Sequence, residues 1–211
     1  VAAVDIGTAK IVSCLGNRKD NGTIEIIGLS EVVSKGIMRG TILNIEDVIN
    51  IIKNSIESLK VSTGKHITNV YVGINFQYIN KPIDTFNIKI DNNSQIVASL
   101  KDSIKNINTC ITKAGLIQNE LVFGLLASSD AVLTASEKEN GVVLIDIGKG
   151  TTEIVVYHND SIKHMAVIPF GGDLITRDIK EEFSISQDQA ELLKVNYGIA
   201  LSNLIIEDNV V

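Results

Sequence analysis

VAAVDIGTAKIV, residues 1–12, and VVLIDIGKGTTEIVV, residues 142–156, are two versions of one pattern. Each runs from an apolar stretch through Asp-Ile-Gly into small, hydroxylated and charged residues, then into a second apolar stretch. That is a buried strand, a turn and a returning strand. Its recurrence in two distant parts of the chain predicts one site assembled from two halves.

The chemistry of the turn follows from its residues. Gly7 carries no Cβ, so backbone N–H groups can approach an anion closely. Thr8 adds a hydroxyl and Lys10 a positive charge. Asp5, at the end of a buried strand, is costly to leave unpaired. A hydrated Mg2+ beside phosphates would satisfy it, because Mg2+ keeps several waters and takes one or two carboxylates. The second turn repeats the plan with Asp146, Gly148, Gly150, Thr151 and Thr152. Two such turns facing each other would clamp a polyphosphate from opposite sides. One Asp-x-Gly alone is a common hairpin turn; the matched recurrence carries the reading.

Composition narrows the classes. The chain has 211 residues, 45% hydrophobic and 21% charged, with a net charge of −6. That length fits one large domain or two small ones. Its acidity, with lysines scattered rather than clustered, argues against a nucleic-acid surface. Cys14 and Cys110 lie in apolar settings and read as reduced core residues. His66, His158 and His164 have no partners at ligand spacing, so no zinc site is expected. No apolar run approaches the ~18 residues that span a bilayer. The start at Val1 reads as a strand rather than a signal peptide, and the absence of an initiating Met implies residues upstream.

Strands are expected at 1–5, 10–15, 23–34, 69–74 and 162–168, besides the second hairpin. Helices are expected at 46–59 with Asn44 as cap, 103–113 stopped by Gly115, 126–136, from Gly171-Gly172-Asp173 to about 183, and from a Ser186…Gln189 capping box to about 197. Residues 75–93 follow no long pattern. Helices mixed with strands, and hairpins at both key turns, indicate an α/β sheet that is not purely parallel.

Further stretches extend the pattern: SKGIMRGTILNI (34–45), VYVGI (70–74), LASSDAVL (126–133), IPFGG (168–172) with ITRDI (175–179), and AELLKVNYG (190–198). With the two hairpins in this order, the chain resembles the actin-like ATPase superfamily and, within it, the FtsA family of bacterial cell-division proteins. SxGIxxGxI is specific to that family, whereas DIGxGTT is shared across the superfamily. The resemblance implies α/β, actin-like (ribonuclease-H-like) lobes, with mixed sheets flanked by helices. It divides the chain into the N-terminal part of a first lobe (1–78), a remnant of an inserted small subdomain of the 1C or SHS2-like kind (79–116), a transition carrying the second phosphate hairpin (117–158), and a partial second lobe (159–211).

The resemblance also implies ATP with Mg2+ as ligand. Asp5, Gly7, Thr8 and Lys10 would form one phosphate loop, and Asp146, Gly148, Lys149, Gly150, Thr151 and Thr152 the other, with Asp5 and Asp146 on the metal side. Gly171 and Gly172 would line the cleft. Glu191 and Lys194 match an AExxK helix that reaches the nucleoside; their spacing equally fits a surface ion pair. The implied partners are the C-terminal peptide of FtsZ, further copies of the chain in a protofilament, and the cytoplasmic membrane at the division site, through an amphipathic helix lying C-terminal to this stretch in the family. No nucleic-acid partner is implied.

Three departures qualify the match. Lys149 and Glu153 stand where the family's second loop usually has Gly and Asp. Gly124-Leu125 replaces a Glu-Pro, removing a polar residue from the region that positions the attacking water in active ATPases, so slow or no hydrolysis is expected. The chain is also short for the family: Asn93–Ser94 resembles a splice within the inserted subdomain, and the remainder of the second lobe is expected beyond Val211. The competing readings are a PilM-type pilus-assembly protein, a sugar or acetate kinase or exopolyphosphatase on the same scaffold, and a scaffold that has lost its nucleotide. A kinase needs a carboxylate base beside its acceptor, and the cleft segments offer none beyond the two aspartates.

Overall fold

The structure, a computed structural model, describes residues 1–75 and 95–201. Its first sheet has the order β3-β2-β1-β6-β7. β1 (Ala2–Ile6), β2 (Lys10–Arg18) and β3 (Ile24–Val33) form an antiparallel meander, and β6 (Asn69–Ile74) and β7 (Ile117–Phe123) add to β1 in parallel. The sheet is mixed, as the hairpin reading requires. Between β3 and β6 lie a small hairpin, β4 (Ile37–Met38) with β5 (Thr41–Ile42), and helix α1 (Ile45–Thr63).

α1 is fixed at both ends by local chemistry. The Asn44 side chain accepts from the N–H groups of Glu46 and Asp47, and Gly64 ends the helix in the left-handed region at φ 66°. Its apolar stripe, Val48, Ile49, Ile52 and Leu59, is buried against Val4, Ile11, Val70 and Val72. Within this packing Ser55 donates to Ser13 at 2.7 Å, so the small side chains that let helix and sheet approach are also mutually hydrogen-bonded.

Helix α2 (Gln95–Lys113) begins eight residues before the expected 103. Its Ile107, Cys110 and Ile111, followed by Leu116, join the core formed by the first sheet and α1. Strand β7 was not legible in the sequence. Polar residues at Gln118, Asn119 and Glu120 break its pattern, and only parallel pairing beside β6 makes it a strand. The unpatterned 75–93 stretch lies, apart from Asn75, outside the described residues.

The helix expected at 126–136 is two helices, α3 (Gly124–Val132) and α4 (Ala135–Asn140). Thr134 and Glu137 form a complete capping box, which restarts the chain in a new direction. The second sheet is an antiparallel meander of β8 (Val142–Ile147), β9 (Thr152–His158) and β10 (Ser161–Ile168). Asn159 and Asp160 both take positive φ in the tight turn between β9 and β10. Its core is smaller, with Leu125, Val155, Tyr157 and Met165 buried and the Tyr157 hydroxyl 2.7 Å from that of Ser129. Helices α5 (Gly172–Phe183) and α6 (Gln187–Tyr197) follow, the latter behind the expected Ser186–Gln189 capping box. No described helix is long and apolar enough to cross a membrane.

Candidate functional site

The two turns close in the same way. Gly7 N–H donates to Lys10 O at 3.1 Å, and Gly148 N–H to Thr151 O at 2.9 Å. In each hairpin the aspartate lies opposite the residue seven positions on: Asp5 pairs with Val12 and Asp146 with Glu153. The turns also meet. A Cβ on Gly150 would lie 3.0 Å from Thr8 Cγ2 and 2.9 Å from Arg39 Cα, so this glycine is what lets the second turn rest on the first.

A third element joins them. Arg39 and Gly40, both at positive φ, form the two-residue tip between β4 and β5, and Gly40 N–H donates to Thr8 Oγ1 at 2.9 Å. Ser34 Oγ donates to Gly7 O at 2.7 Å. The stretch that served in the sequence only as a family signature therefore builds one wall of the site. The signal for it was the Arg-Gly pair between two short apolar runs.

A cavity of about 280 Å3 has a lining that includes Asp5, Gly73, Asn75, Gly124, Ser128 and Asp146. Both aspartates thus open on one space. Asp5 faces the cleft yet is crowded by its walls. Desolvation raises its pKa, Asp146 raises it further, and Lys10 opposes. Gly73, paired with Asp5 across the parallel strands, makes room for it: a Cβ there would lie 3.3 Å from Asp5 Cα.

Glu153 is the residue the sequence reading passed over as a site member. It is 3% exposed, and among the described residues neither carboxylate oxygen has a hydrogen-bond partner. Burial pushes its pKa up to about 7, with Asp146 and Asp5 adding to the effect. Its cross-strand position opposite Asp146 was readable from the seven-residue spacing around a short turn. Three carboxylates thus act on one another here, and an orphaned buried carboxylate facing two others is the arrangement a cation relieves. The described residues contain no cluster of three or more direct metal ligands. The set therefore fits a hydrated Mg2+ held by one or two carboxylates rather than a closed cage.

The remaining expected residues divide between the cleft and the scaffold. Lys10 Nζ sits 2.7 Å from Glu31 in an exposed ion pair. Thr152 donates its hydroxyl hydrogen to Phe170 O at 3.0 Å, and Thr151 is buried. The first N–H groups of α5 are taken by the second turn: Gly172 N–H donates to Gly148 O and Asp173 N–H to Lys149 O, both at 2.9 Å. Gly171 permits this contact, since a Cβ there would overlap Gly148 O. Glu191 and Lys194 are joined at 2.7 Å, and Lys194 Nζ also reaches Thr176 Oγ1 at 2.7 Å and Gly172 O at 3.1 Å. Partial desolvation raises the Glu191 pKa, but hydrogen bonds from Lys194 and Thr176 and the charges of Lys194 and Lys149 outweigh it, leaving it below the usual range. The AExxK helix is thus tied to the second turn through Gly172.

Comparison with known proteins finds relatives in sequence and in fold. The family model for cell division protein FtsA matches residues 143–210. FtsA of Neisseria meningitidis serogroup B is 28% identical, covering 95% of this chain and 62% of that protein, and FtsA of Escherichia coli K12 is 25% identical, covering 99% and 63%. The chain therefore spans somewhat less than two thirds of these relatives. The first alignment runs over 255 positions against a chain of 211 residues, so the relative carries residues inside the matched span that this chain lacks.

Solved structures resemble it at the level of fold. The PilM–PilN type IV pilus biogenesis complex superposes with a TM-score of 0.71 at 15% identity, covering 94% of this chain and 70% of that one. EutJ from Carboxydothermus hydrogenoformans gives 0.68 at 19% identity, covering 93% and 61%. MreB5 of Spiroplasma citri bound to ADP gives 0.59 at 15% identity, covering 92% and 60%. The chain is similar to the FtsA cell-division proteins along nearly its whole length and has an actin-like fold.

Proposed function

We propose that this chain binds ATP with Mg2+ between its two acidic turns and serves in cell division as a nucleotide-dependent assembly protein. In this reading it associates with further copies of itself and links the FtsZ ring to the cytoplasmic face of the inner membrane. The observation that carries the nucleotide part is the convergence of Asp5 and Asp146 on one cavity, with Glu153 orphaned beside them. The similarity to FtsA cell-division proteins supports the cell-division part. The PilM–PilN likeness, at 15% identity, speaks for the shared fold and does not favour a pilus role.

The residues have separable tasks. Asp5 and Asp146 would hold the metal through its water, and the buried Glu153 carboxyl lies opposite Asp146 behind them. The two closed turns present backbone to the phosphates from opposite walls, and Gly150 keeps those walls close. Bound Mg2+ supplies the charge that neutralises the phosphates. Glu191 and Lys194, locked together and onto Gly172, stiffen the nucleoside side. No side chain at 124 takes a proton from water, so hydrolysis is slow.

The test is equilibrium binding paired with turnover on the full-length protein. ATP is expected to bind in Mg2+ and to weaken when Mg2+ is chelated, while phosphate release stays well below ~1 per second, the lower edge of ordinary enzyme turnover. Turnover at or above that rate, or no ATP binding with Mg2+ present, would overturn the reading. Co-sedimentation with ATP and lipid vesicles tests the assembly role, and phosphate transfer to a small acceptor would point to a kinase instead.

A further inference from the structure

Gly124 opens α3 where the resembled family carries Glu-Pro, and the sequence alone leaves that wall of the cleft without a polar group. The structure supplies one from the neighbouring strand. β6 ends at Ile74, and Asn75 lays its carboxamide over Gly124. A Cβ at 124 would overlap Asn75 Oδ1 and lie 3.3 Å from Asn75 Cγ. Only glycine at 124 leaves this position open to the amide.

The amide stands in the cavity that holds Asp5 and Asp146. Its Oδ1 is buried and has no hydrogen-bond partner among the described residues. A buried carboxamide in that state calls for a ligand group or an ordered water. It can turn over to offer either the Oδ1 acceptor or the Nδ2 donors.

We propose that Asn75 is the side chain with which this cleft reads the terminal phosphate of a nucleoside triphosphate, directly or through one ordered water. The inference rests on the nucleotide reading above. α5 and the Glu191–Lys194 pair adjoin the second turn through Gly172 and Gly148, whereas the lining of the cavity shared by Asp5 and Asp146 includes no residue of α5 or α6. A polyphosphate whose nucleoside lies toward α6 ends in that cavity, at Asn75. A diphosphate stops short of it. A carboxamide orients water or a phosphate oxygen but takes up no proton near neutral pH, so it positions without serving as a base.

The experiment compares the Mg2+ complexes of ADP and of a non-hydrolysable ATP analogue, titrated into the full-length protein and its variants, with a thermal melt to confirm folding. Asn75→Ala is expected to weaken the triphosphate analogue about ten-fold, the scale of one hydrogen bond to a charged group, while ADP affinity stays within about two-fold. Gly124→Ala is expected to reproduce that selective loss, because its methyl group turns the amide out. The double variant Asn75→Ala/Gly124→Ala is expected to lose no more than Asn75→Ala alone, which separates eviction of the amide from damage to the fold. Equal losses for both nucleotides, or an unchanged ratio in Asn75→Ala, would overturn the inference while leaving nucleotide binding intact. If the wild-type protein binds neither nucleotide, the nucleotide reading and this inference fall together.

Discussion

Replacing Gly171 by alanine is expected to destabilise the chain by about 3 kcal/mol, at the upper end of what overpacking costs. The added methyl would overlap the carbonyl oxygen of Gly148 and lie 3.0 Å from both Gly148 C and Thr151 O. All three are backbone atoms, so no flexible side-chain end can move aside. The backbone is also pinned from both directions: Gly148 N–H donates to Thr151 O, and Gly172 N–H donates to Gly148 O. Gly171 has a φ of −153°, extended backbone open to any residue, so the expected penalty comes from the close approach alone. The urea midpoint should fall without a change in slope, the mark of lost stability rather than altered unfolding. ATP affinity should fall with it, because the second turn must shift to make room. A midpoint close to wild type would mean that α5 and the turn are not joined as tightly as their hydrogen bonds indicate.

Glu153→Gln is expected to change the pH dependence of stability. The folded carboxyl has its pKa raised to about 7 from an ordinary 4.5, chiefly by desolvation, then by Asp146 and Asp5. Over that interval the folded chain keeps a proton that the unfolded chain has released. Stability therefore falls as pH rises from about 4.5 to about 7, and the loss persists above. At 1.36 kcal/mol per pH unit the full cost is on the order of 3 kcal/mol. The glutamine variant removes this contribution. It should be more stable than wild type by about 2–3 kcal/mol near pH 8 and roughly equal to it near pH 4.5. Asp5 is shifted in the same direction, so part of the slope remains in the variant. Chemical denaturation at both pH values, without nucleotide or divalent cation, measures the difference. Parallel pH profiles for the two proteins would show that Glu153 is not the strained group.

Much of the frame was legible because local signals agreed with one another. The Asp-Ile-Gly hairpins, the Asn44 cap, the Gly115 stop and the Ser186–Gln189 box each fix an element end by chemistry within a few residues, whereas α1 runs on past the expected 59 to Thr63. The early start of α2 and the strand identity of β7 were not legible. β7 draws its order from a parallel partner forty residues or more away in sequence, as in the pairing of Ile74 with Phe123. The break between α3 and α4 was readable in principle from Thr134 and Glu137, since a capping box marks a new start even inside an apolar run.

The site was legible in its residue types more than in their contacts. Sequence gave no way to see that the Lys10 ammonium lies on Glu31, that the Thr152 hydroxyl holds Phe170 O, or that the second turn takes up the first N–H groups of α5. These partners come from elements that meet only in the folded chain. Arg39 and Asn75 were missed for the same reason. Each enters the cleft region through a neighbour distant in sequence, Gly150 and Gly124 respectively.

The most direct test of two turns gripping one triphosphate is a double-mutant cycle on ATP–Mg2+ affinity with Asp5→Ala, Asp146→Ala and the pair. The expected result is one site per chain, a loss of roughly 10–100-fold in each single variant, and a double variant departing from additivity by more than about 0.5 kcal/mol, because both carboxylates act on the same bound metal and phosphates. Wild-type affinity in either single variant, or losses that simply add, would contradict a shared site.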